Sequence, residues 1–175
     1  MTQKLKIDFV SDVACPWCVI GLLGLEKALD NVAGEIDADI AFHPFELNPD
    51  LPAGGKNGLE HIAGKYGMSF DRVRENRATI CDRAAEVGFT INTSDASRIY
   101  NTFDAHRLIA WAGENGRQLA MKQQVFALYF TQQEDPGDPD ALAKAAHAAG
   151  LNATEAQEVL ASDRYAEQVR SEEAL

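Results

Sequence analysis

The sequence feature that most constrains the fold is a Cys-x-x-Cys pair placed between a strand-like and a helix-like segment. Residues 5–10 alternate apolar and polar side chains, which predicts a strand with one buried face. After Cys15-Pro16-Trp17-Cys18, apolar residues recur at helical spacing over 19–29. Pro16 suits the first turn of a helix, because the N–H that proline lacks would have no intrahelical partner there. A second alternating segment, 36–42, completes a strand–helix–strand unit that we expect to be parallel with a right-handed crossover.

The rest of the chain has almost entirely helical patterning. A loop rich in Pro, Gly and Asn at residues 48–55 marks the change of character. Helices are predicted over 59–66, 69–87, 103–115, 117–132, 140–149, 154–161 and from 163 onward. Only residues 89–91 suggest a further extended piece. The patterning therefore predicts an α/β fold with a small sheet and a large all-helical part.

Composition and charge exclude several classes of function. The chain has 175 residues, of which 46% are hydrophobic, typical of a globular protein with a substantial core. Its 16 Lys and Arg against 27 Asp and Glu give a net charge of -11, which opposes binding to nucleic acid or to anionic lipid. No apolar run approaches the roughly 18 residues of a membrane span, and no leader pattern is visible at the N-terminus. We therefore expect a cytoplasmic protein.

The position of the two cysteines is typical of thiol–disulfide exchange. A thiolate at Cys15 would lie at the positive end of the helix dipole, which lowers the pKa of a thiol. Cys18 lies one helical turn later, within reach of a disulfide with Cys15. Cys15 would attack a substrate disulfide, and Cys18 would resolve the resulting mixed disulfide.

Other interpretations of the cysteines receive less support from the sequence. Half of a zinc site would need a second pair of ligands, and Cys81 and the four histidines (His43, His61, His106 and His147) do not have that spacing. No metal is therefore expected. Cys15 and Cys18 could also be inert core thiols, although the strand-to-helix position disfavours this. Cys81 falls on an apolar helix face and is predicted to be a buried structural thiol.

Several segments, taken in order, resemble one known family. They are Ser11-Asp12-Val13-Ala14-Cys15-Pro16-Trp17-Cys18-Val19-Ile20-Gly21, Pro44-Phe45-Glu46-Leu47-Asn48-Pro49, Lys65-Tyr66-Gly67, Asn101-Thr102, Ala105-His106-Arg107-Leu108 and the stretch Val125 to Phe130. This set is similar to the DsbA-like thioredoxin-fold family, specifically its FrnE-like branch. The resemblance spans essentially the whole chain.

The resemblance implies a thioredoxin-like fold with a large all-helical insertion. Residues 1–49 would form the N-terminal βαβ half of the thioredoxin-like domain, 50–160 the helical insertion, and 161–175 a helix returning to that domain. In the family, this helix is followed by a cis-proline loop, further strands and a helix. We expect those C-terminal strands to be absent from this chain, as in a truncated protein.

The resemblance also implies a protein disulfide oxidoreductase that uses Cys15 as nucleophile and Cys18 as resolving thiol. Its substrates would be proteins or small molecules that carry a thiol or a disulfide. No cofactor is expected, although glutathione could serve as co-substrate, and a homodimer is left open. For substrate binding we name Pro16, Trp17, Phe45 and His106. Trp17 could instead pack on the helical part, Phe45 could simply turn the chain, and His106 could be a packed or capping residue.

Two other functional classes stay open at this stage. Related branches of the family include 2-hydroxychromene-2-carboxylate isomerase and kappa-class glutathione transferase, which use glutathione and typically have Ser at the first active-site position. The cysteine at position 15 favours redox exchange over these activities. A non-catalytic peptide-binding or chaperone-like module is the third interpretation.

Overall fold

The N-terminal part of the molecule is the predicted βαβ unit. The computed structural model describes residues 2–174. It contains strand β1 (Gln3–Ser11), helix α1 (Pro16–Asn31) and strand β2 (Ile36–Pro44). The two strands pair in parallel along their whole length. The predicted parallel arrangement is thus confirmed, and it places the start of α1 beside the carboxyl end of β1.

The remainder of the described chain is mainly helical, as predicted. In order it forms β3 (Lys56–Asn57), α2 (Gly58–Tyr66), α3 (Phe70–Glu86), β4 (Arg98–Ile99), α4 (Phe103–Glu114), α5 (Gln118–Phe126), α6 (Pro139–Ala148), α7 (Ala153–Leu160) and α8 (Ala166–Glu173). The α/β fold with small two-stranded sheets and many helices is confirmed. The division at residues 49 and 160 stays a prediction.

Local structure differs from the sequence prediction at three places. Residues 89–91 form no strand; Phe89 and Ile91 instead pack their side chains against the core. The short antiparallel pair of β3 and β4 was not predicted, because two-residue strands leave no alternating pattern. The helix predicted to reach residue 132 changes after Phe126 to a π-helical turn, Ala127–Thr131.

Two apolar clusters hold the site in place. One lies among the helices from α4 to α7 and includes Val13, which is fully buried. The other joins the sheet, α1 and α5 through Val19, Leu22, Phe42 and Phe126. The Cys-x-x-Cys segment follows Val13 and precedes Val19, so it is anchored on both sides by the core. Within residues 2–174, none of the helices combines the length and apolar character needed to cross a membrane.

Candidate active site

Cys15 caps the N-terminus of α1. Its backbone is extended, with φ -93° and ψ 113°, and the helix starts at Pro16. The Cys18 thiol donates a hydrogen bond to the Cys15 sulfur, and the backbone N–H groups of Cys18 and Trp17 also stabilise the Cys15 thiolate. These interactions lower the pKa of Cys15 to about 7 against the opposing effect of burial. Cys15 is therefore substantially ionised near neutral pH.

Cys18 has the opposite character. Its proton is held in the hydrogen bond to Cys15, and burial further disfavours its thiolate, so the pKa of Cys18 is raised. Both cysteines are free thiols in the structure. The pair therefore combines one reactive thiolate with one neighbouring thiol, which is the state that begins a thiol–disulfide exchange.

Asp12 connects the dithiol segment to two other parts of the chain. Its carboxylate accepts hydrogen bonds from the N–H of Ala14 at 3.2 Å and the N–H of Leu47 at 2.7 Å. Nε2 of His106 lies 3.5 Å from the same carboxylate. Burial would raise the pKa of Asp12, but the interactions with His106 and with the Leu47 N–H outweigh it, and the pKa is lowered. A buried carboxylate thus links the loop before α1, the loop after β2, and α4.

A cavity of about 470 Å³ opens beside Cys15. One wall is the segment Ala14 to Trp17, and Leu47 and Asn48 contribute from the loop after β2. The remaining lining is largely apolar and comes from α2, α3, the turn between them and the π-helical turn, including Ile62, Met68, Val73, Ile80, Tyr129 and Phe130. Lys65, Arg77 and Cys81 also line the cavity. A thiol or disulfide of a substrate that entered here would meet the Cys15 sulfur against an apolar surface.

The predicted substrate-binding residues are not all brought together. Pro16 and Trp17 line the cavity, and Trp17 is 53% exposed. Phe45 is 46% exposed and lies outside the cavity lining, where Leu47 takes part instead. His106 is only 2% exposed, and its Nε2 lies 3.1 Å from the carbonyl oxygen of Phe45. His106 therefore contacts the carbonyl of Phe45 and the carboxylate of Asp12. The substrate-binding roles of these residues stay predictions.

Lys122 is, like Asp12, a charged residue near the dithiol that the sequence analysis did not name as a site residue. Its side chain is 1% exposed, and burial lowers the pKa of Lys122 to about 8. Nζ lies 5.4 Å from the centre of the Phe126 ring. A signal existed in the sequence, because Lys122 and Phe126 are four residues apart and therefore share one face of α5.

Metal binding receives no support from side-chain clustering. In the part of the chain that the structure describes, no group of three or more His, Cys, Asp or Glu side chains is placed to hold a metal ion. Cys81, which was predicted to be buried, is only partly buried because its side of α3 lines the cavity beside Cys15. Its thiol donates a hydrogen bond to the carbonyl of Ile91 at 3.6 Å. Burial raises the pKa of Cys81.

Comparison with known proteins decides the family. Residues 6–175 match the family model of the DSBA-like thioredoxin domain. The chain belongs to this family. Its βαβ unit and helical part are therefore those of a DSBA-like thioredoxin fold, in agreement with the family resemblance drawn from the sequence.

Individual relatives of this DSBA-like protein include both sequence and structural matches. A protein of Bacillus subtilis, YwbO, is 26% identical over 165 residues, covering 94% of this chain and 75% of its own. The structure of a probable DsbA oxidoreductase from Streptomyces coelicolor is 32% identical with a TM-score of 0.87, covering 97% of this chain and 73% of the other. The cytosolic disulfide reductase DsbM from Pseudomonas aeruginosa shares the fold at 18% identity and a TM-score of 0.67, covering 97% of this chain and 75% of its own.

Proposed function

We propose that this protein is a thiol–disulfide oxidoreductase that works through Cys15 and Cys18. The observation that carries the proposal is the position of Cys15 as the N-cap residue of α1, beside Cys18, whose interaction with the Cys15 sulfur lowers the pKa of Cys15 to about 7. A thiol with a pKa close to the working pH combines a large thiolate fraction with good nucleophilicity. The similarity to the probable DsbA oxidoreductase of Streptomyces coelicolor supports the same activity.

The exchange takes place in two displacements at sulfur. The Cys15 thiolate attacks one sulfur of a substrate disulfide, forms a mixed disulfide and releases the other substrate sulfur as a thiolate. Cys18 then gives up its proton and attacks the Cys15 sulfur, so that a Cys15–Cys18 bond forms and the second substrate thiolate leaves. The substrate gains two electrons and the protein loses two. The reverse sequence oxidises a substrate dithiol.

The proposed substrates are thiol- or disulfide-containing proteins or small molecules. The cavity beside Cys15 supports a substrate whose sulfur is flanked by an apolar group, because its lining includes Leu47, Ile62 and Phe130. Glutathione is proposed as a co-substrate that recycles the dithiol, with no other cofactor required. A cytoplasmic location is also proposed, in line with the likeness to a cytosolic disulfide reductase.

Alkylation of the reduced protein across pH, followed by mass spectrometry, tests the site. We expect the modification rate of Cys15 to rise with pH and to reach half its maximum near pH 7, where its thiol ionises. Cys81 is an internal reference, because its pKa is raised above the ordinary value and its midpoint should lie at higher pH. Equal midpoints for Cys15 and Cys81 would contradict the proposal.

Serine variants test the two roles separately. Cys15→Ser should abolish disulfide exchange, since it removes the nucleophile. Cys18→Ser should retain the first displacement and accumulate mixed disulfides with substrate, visible as an added mass on non-reducing electrophoresis. The double variant is the control and should trap nothing. Normal exchange by Cys15→Ser would show that the assignment is wrong.

A further inference from the structure

The Lys122 side chain is an ammonium group buried with little hydrogen bonding. Within the described part of the chain, Nζ has one acceptor, the carbonyl oxygen of Ser11, at a long 3.5 Å. An ammonium has three protons to donate, and a buried charge without close partners is strongly disfavoured. The Ser11 hydroxyl, also buried, has no hydrogen-bond partner among the described residues. The site therefore holds a cation whose compensation by hydrogen bonds is incomplete.

The position of Lys122 relates this cation to the dithiol. Ser11 ends β1 and stands four residues before Cys15. Phe126, which lies beneath the Lys122 ammonium, belongs to the apolar cluster against which Cys18 packs. Burial lowers the pKa of Lys122, and the charges of Asp12, Cys18 and Cys15, in that order, oppose this decrease. The charge of Lys122 in turn favours the thiolate of Cys18 and so acts to lower its pKa. The buried ammonium and the two partly buried sulfurs are thus electrostatically coupled.

We propose that Lys122 provides a positive charge that stabilises the thiolate of the dithiol and that it favours the reduced state of the protein. The reduced dithiol carries a thiolate that the ammonium stabilises, whereas the Cys15–Cys18 disulfide carries no charge. Attraction to Lys122 therefore lowers the free energy of the reduced form relative to the disulfide. This inference rests on the proposed exchange activity, and it assigns the redox preference of that site to a residue of α5.

Reduction of the disulfide by glutathione is the reaction whose equilibrium Lys122 would shift. The Cys15–Cys18 disulfide and two glutathione thiols give a Cys15 thiolate, a Cys18 thiol, one glutathione disulfide and one proton. Two electrons pass from glutathione to the protein, and the released proton goes to solvent or to any neutral Lys122 amine.

Several charged or titratable groups surround Lys122. They are Asp12 and the two thiols from the α1 side, His106 from α4, His43 from β2 and Glu172 from α8. Of these, the two thiols are the groups that disulfide formation removes.

A glutathione redox titration of Lys122→Met tests the proposal. Methionine has similar volume and no charge, and replacing a poorly paired buried charge by an apolar side chain is commonly neutral or stabilising for folding. We expect the variant to be half oxidised at a ratio of [GSH]² to [GSSG] about tenfold higher than the wild type, which corresponds to a potential about 30 mV lower. The matched control Lys144→Met removes an exposed charge on α6 and should leave the ratio unchanged. The same ratio in Lys122→Met and wild type would overturn the proposal.

A second measurement uses the wild-type protein and does not depend on the variant folding. With ¹³Cε-labelled lysine, the pKa of Lys122 can be followed by NMR in the reduced and the oxidised protein. We expect a higher pKa in the reduced protein, because the nearby thiolate favours the ammonium, and equal values would overturn the inference. Failure of the wild type to form a Cys15–Cys18 bond in any glutathione buffer would instead refute the proposed function, and this inference with it.

Discussion

At the scale of single residues, Asp12 has two opposing effects on the Cys15 site. Its carboxylate accepts the N–H groups of Ala14 and Leu47, which fixes the segment that leads to Cys15. Its negative charge also raises the pKa of Cys15, although the hydrogen bonds to the sulfur outweigh this. Asp12 therefore organises the site while making its nucleophile less acidic. The two effects can be separated by a substitution that keeps the shape and removes the charge.

Asp12→Asn is predicted to lower stability and also to lower the pKa of Cys15. The pKa of Asp12 is below its ordinary value in the folded protein. Its contribution to stability is therefore complete above the pKa of the unfolded chain, about 4, and is lost as the pH falls through the folded value. We expect a loss of about 1–3 kcal/mol in the free energy of unfolding at pH 7, shrinking towards acid pH, measured by urea denaturation.

The control for this prediction is Asp82→Asn, which removes an exposed carboxylate on α3. It should change the free energy of unfolding by less than about 0.5 kcal/mol. A difference between Asp12→Asn and wild type that stayed constant down to pH 2 would rule out the ionisation of Asp12 as its cause.

At the scale of elements, the pairing of β3 with β4 depends on a close backbone approach at Gly55. Gly55 has a positive φ of 66°, and a Cβ built there would collide with the carbonyl of Ile99 and with the Tyr100 ring. The Arg98 side chain donates hydrogen bonds at 2.9 Å to the carbonyls of both Gly54 and Gly55. The absence of a side chain at residue 55 therefore permits the contact between the start of α2 and the segment before α4.

Gly55→Ala is predicted to destabilise the protein more than Gly54→Ala. Both glycines have a positive φ, 66° and 74°, but a Cβ on Gly54 meets nothing within 4 Å. Gly54→Ala should therefore lose about 1–2 kcal/mol from backbone strain alone. Gly55→Ala should lose about 2–5 kcal/mol, since the steric overlap adds to that strain. Thermal and urea unfolding of the two variants provide the comparison, and equal losses would show that the close approach is not the cause.

At the scale of the whole molecule, Arg107 joins α4 to the segment between α7 and α8. Its buried guanidinium donates to the carbonyls of Val159 at 2.6 Å, Arg164 at 3.0 Å and Ser162, and it pairs with Asp104 at 2.8 Å. These carbonyls belong to the end of α7 and to the turn that leads into α8. Arg107 thus fixes the direction in which the chain approaches the sheet, where Glu172 lies near His43 of β2.

Arg107→Met is predicted to lower the free energy of unfolding by about 3 kcal/mol or more. The substitution keeps much of the apolar stem but leaves several carbonyls without a donor, and each unsatisfied buried group costs about 1–3 kcal/mol. Arg107→Lys should lose less, because it keeps one cationic donor group without the fork of the guanidinium. Arg83→Met, at an exposed ion pair with Glu86, is the control and should change stability by less than about 1 kcal/mol. If Arg107→Met also lowered the free energy of unfolding by less than about 1 kcal/mol, the role of Arg107 in joining α4 to the segment before α8 would be contradicted.

Local signals in the sequence were sufficient for the order of elements and for the dithiol. Alternation over residues 5–10 and 36–42 predicted β1 and β2, and Pro16 marked the start of α1. The helix predicted over 69–87 is α3, and the hydroxyl of its N-cap residue Ser69 accepts the Arg72 N–H. These features depend on neighbours within one or two helical turns, so a linear pattern contains them. The boundaries of the helical insertion and the substrate-binding roles of Phe45 and His106 stay predictions.

By itself the sequence determined the βαβ unit, the helical character of the remainder and the placement of Cys15 and Cys18 at a helix start. Only the tertiary structure placed Lys122 against Ser11, 111 residues earlier in the chain, and packed Phe89 in a core instead of a strand. The cavity beside Cys15 likewise combines walls from separate parts of the chain. Periodicity and capping act through the backbone over a few residues. Burial and charge compensation depend on which distant segments pack together, and that is decided only when the whole chain folds.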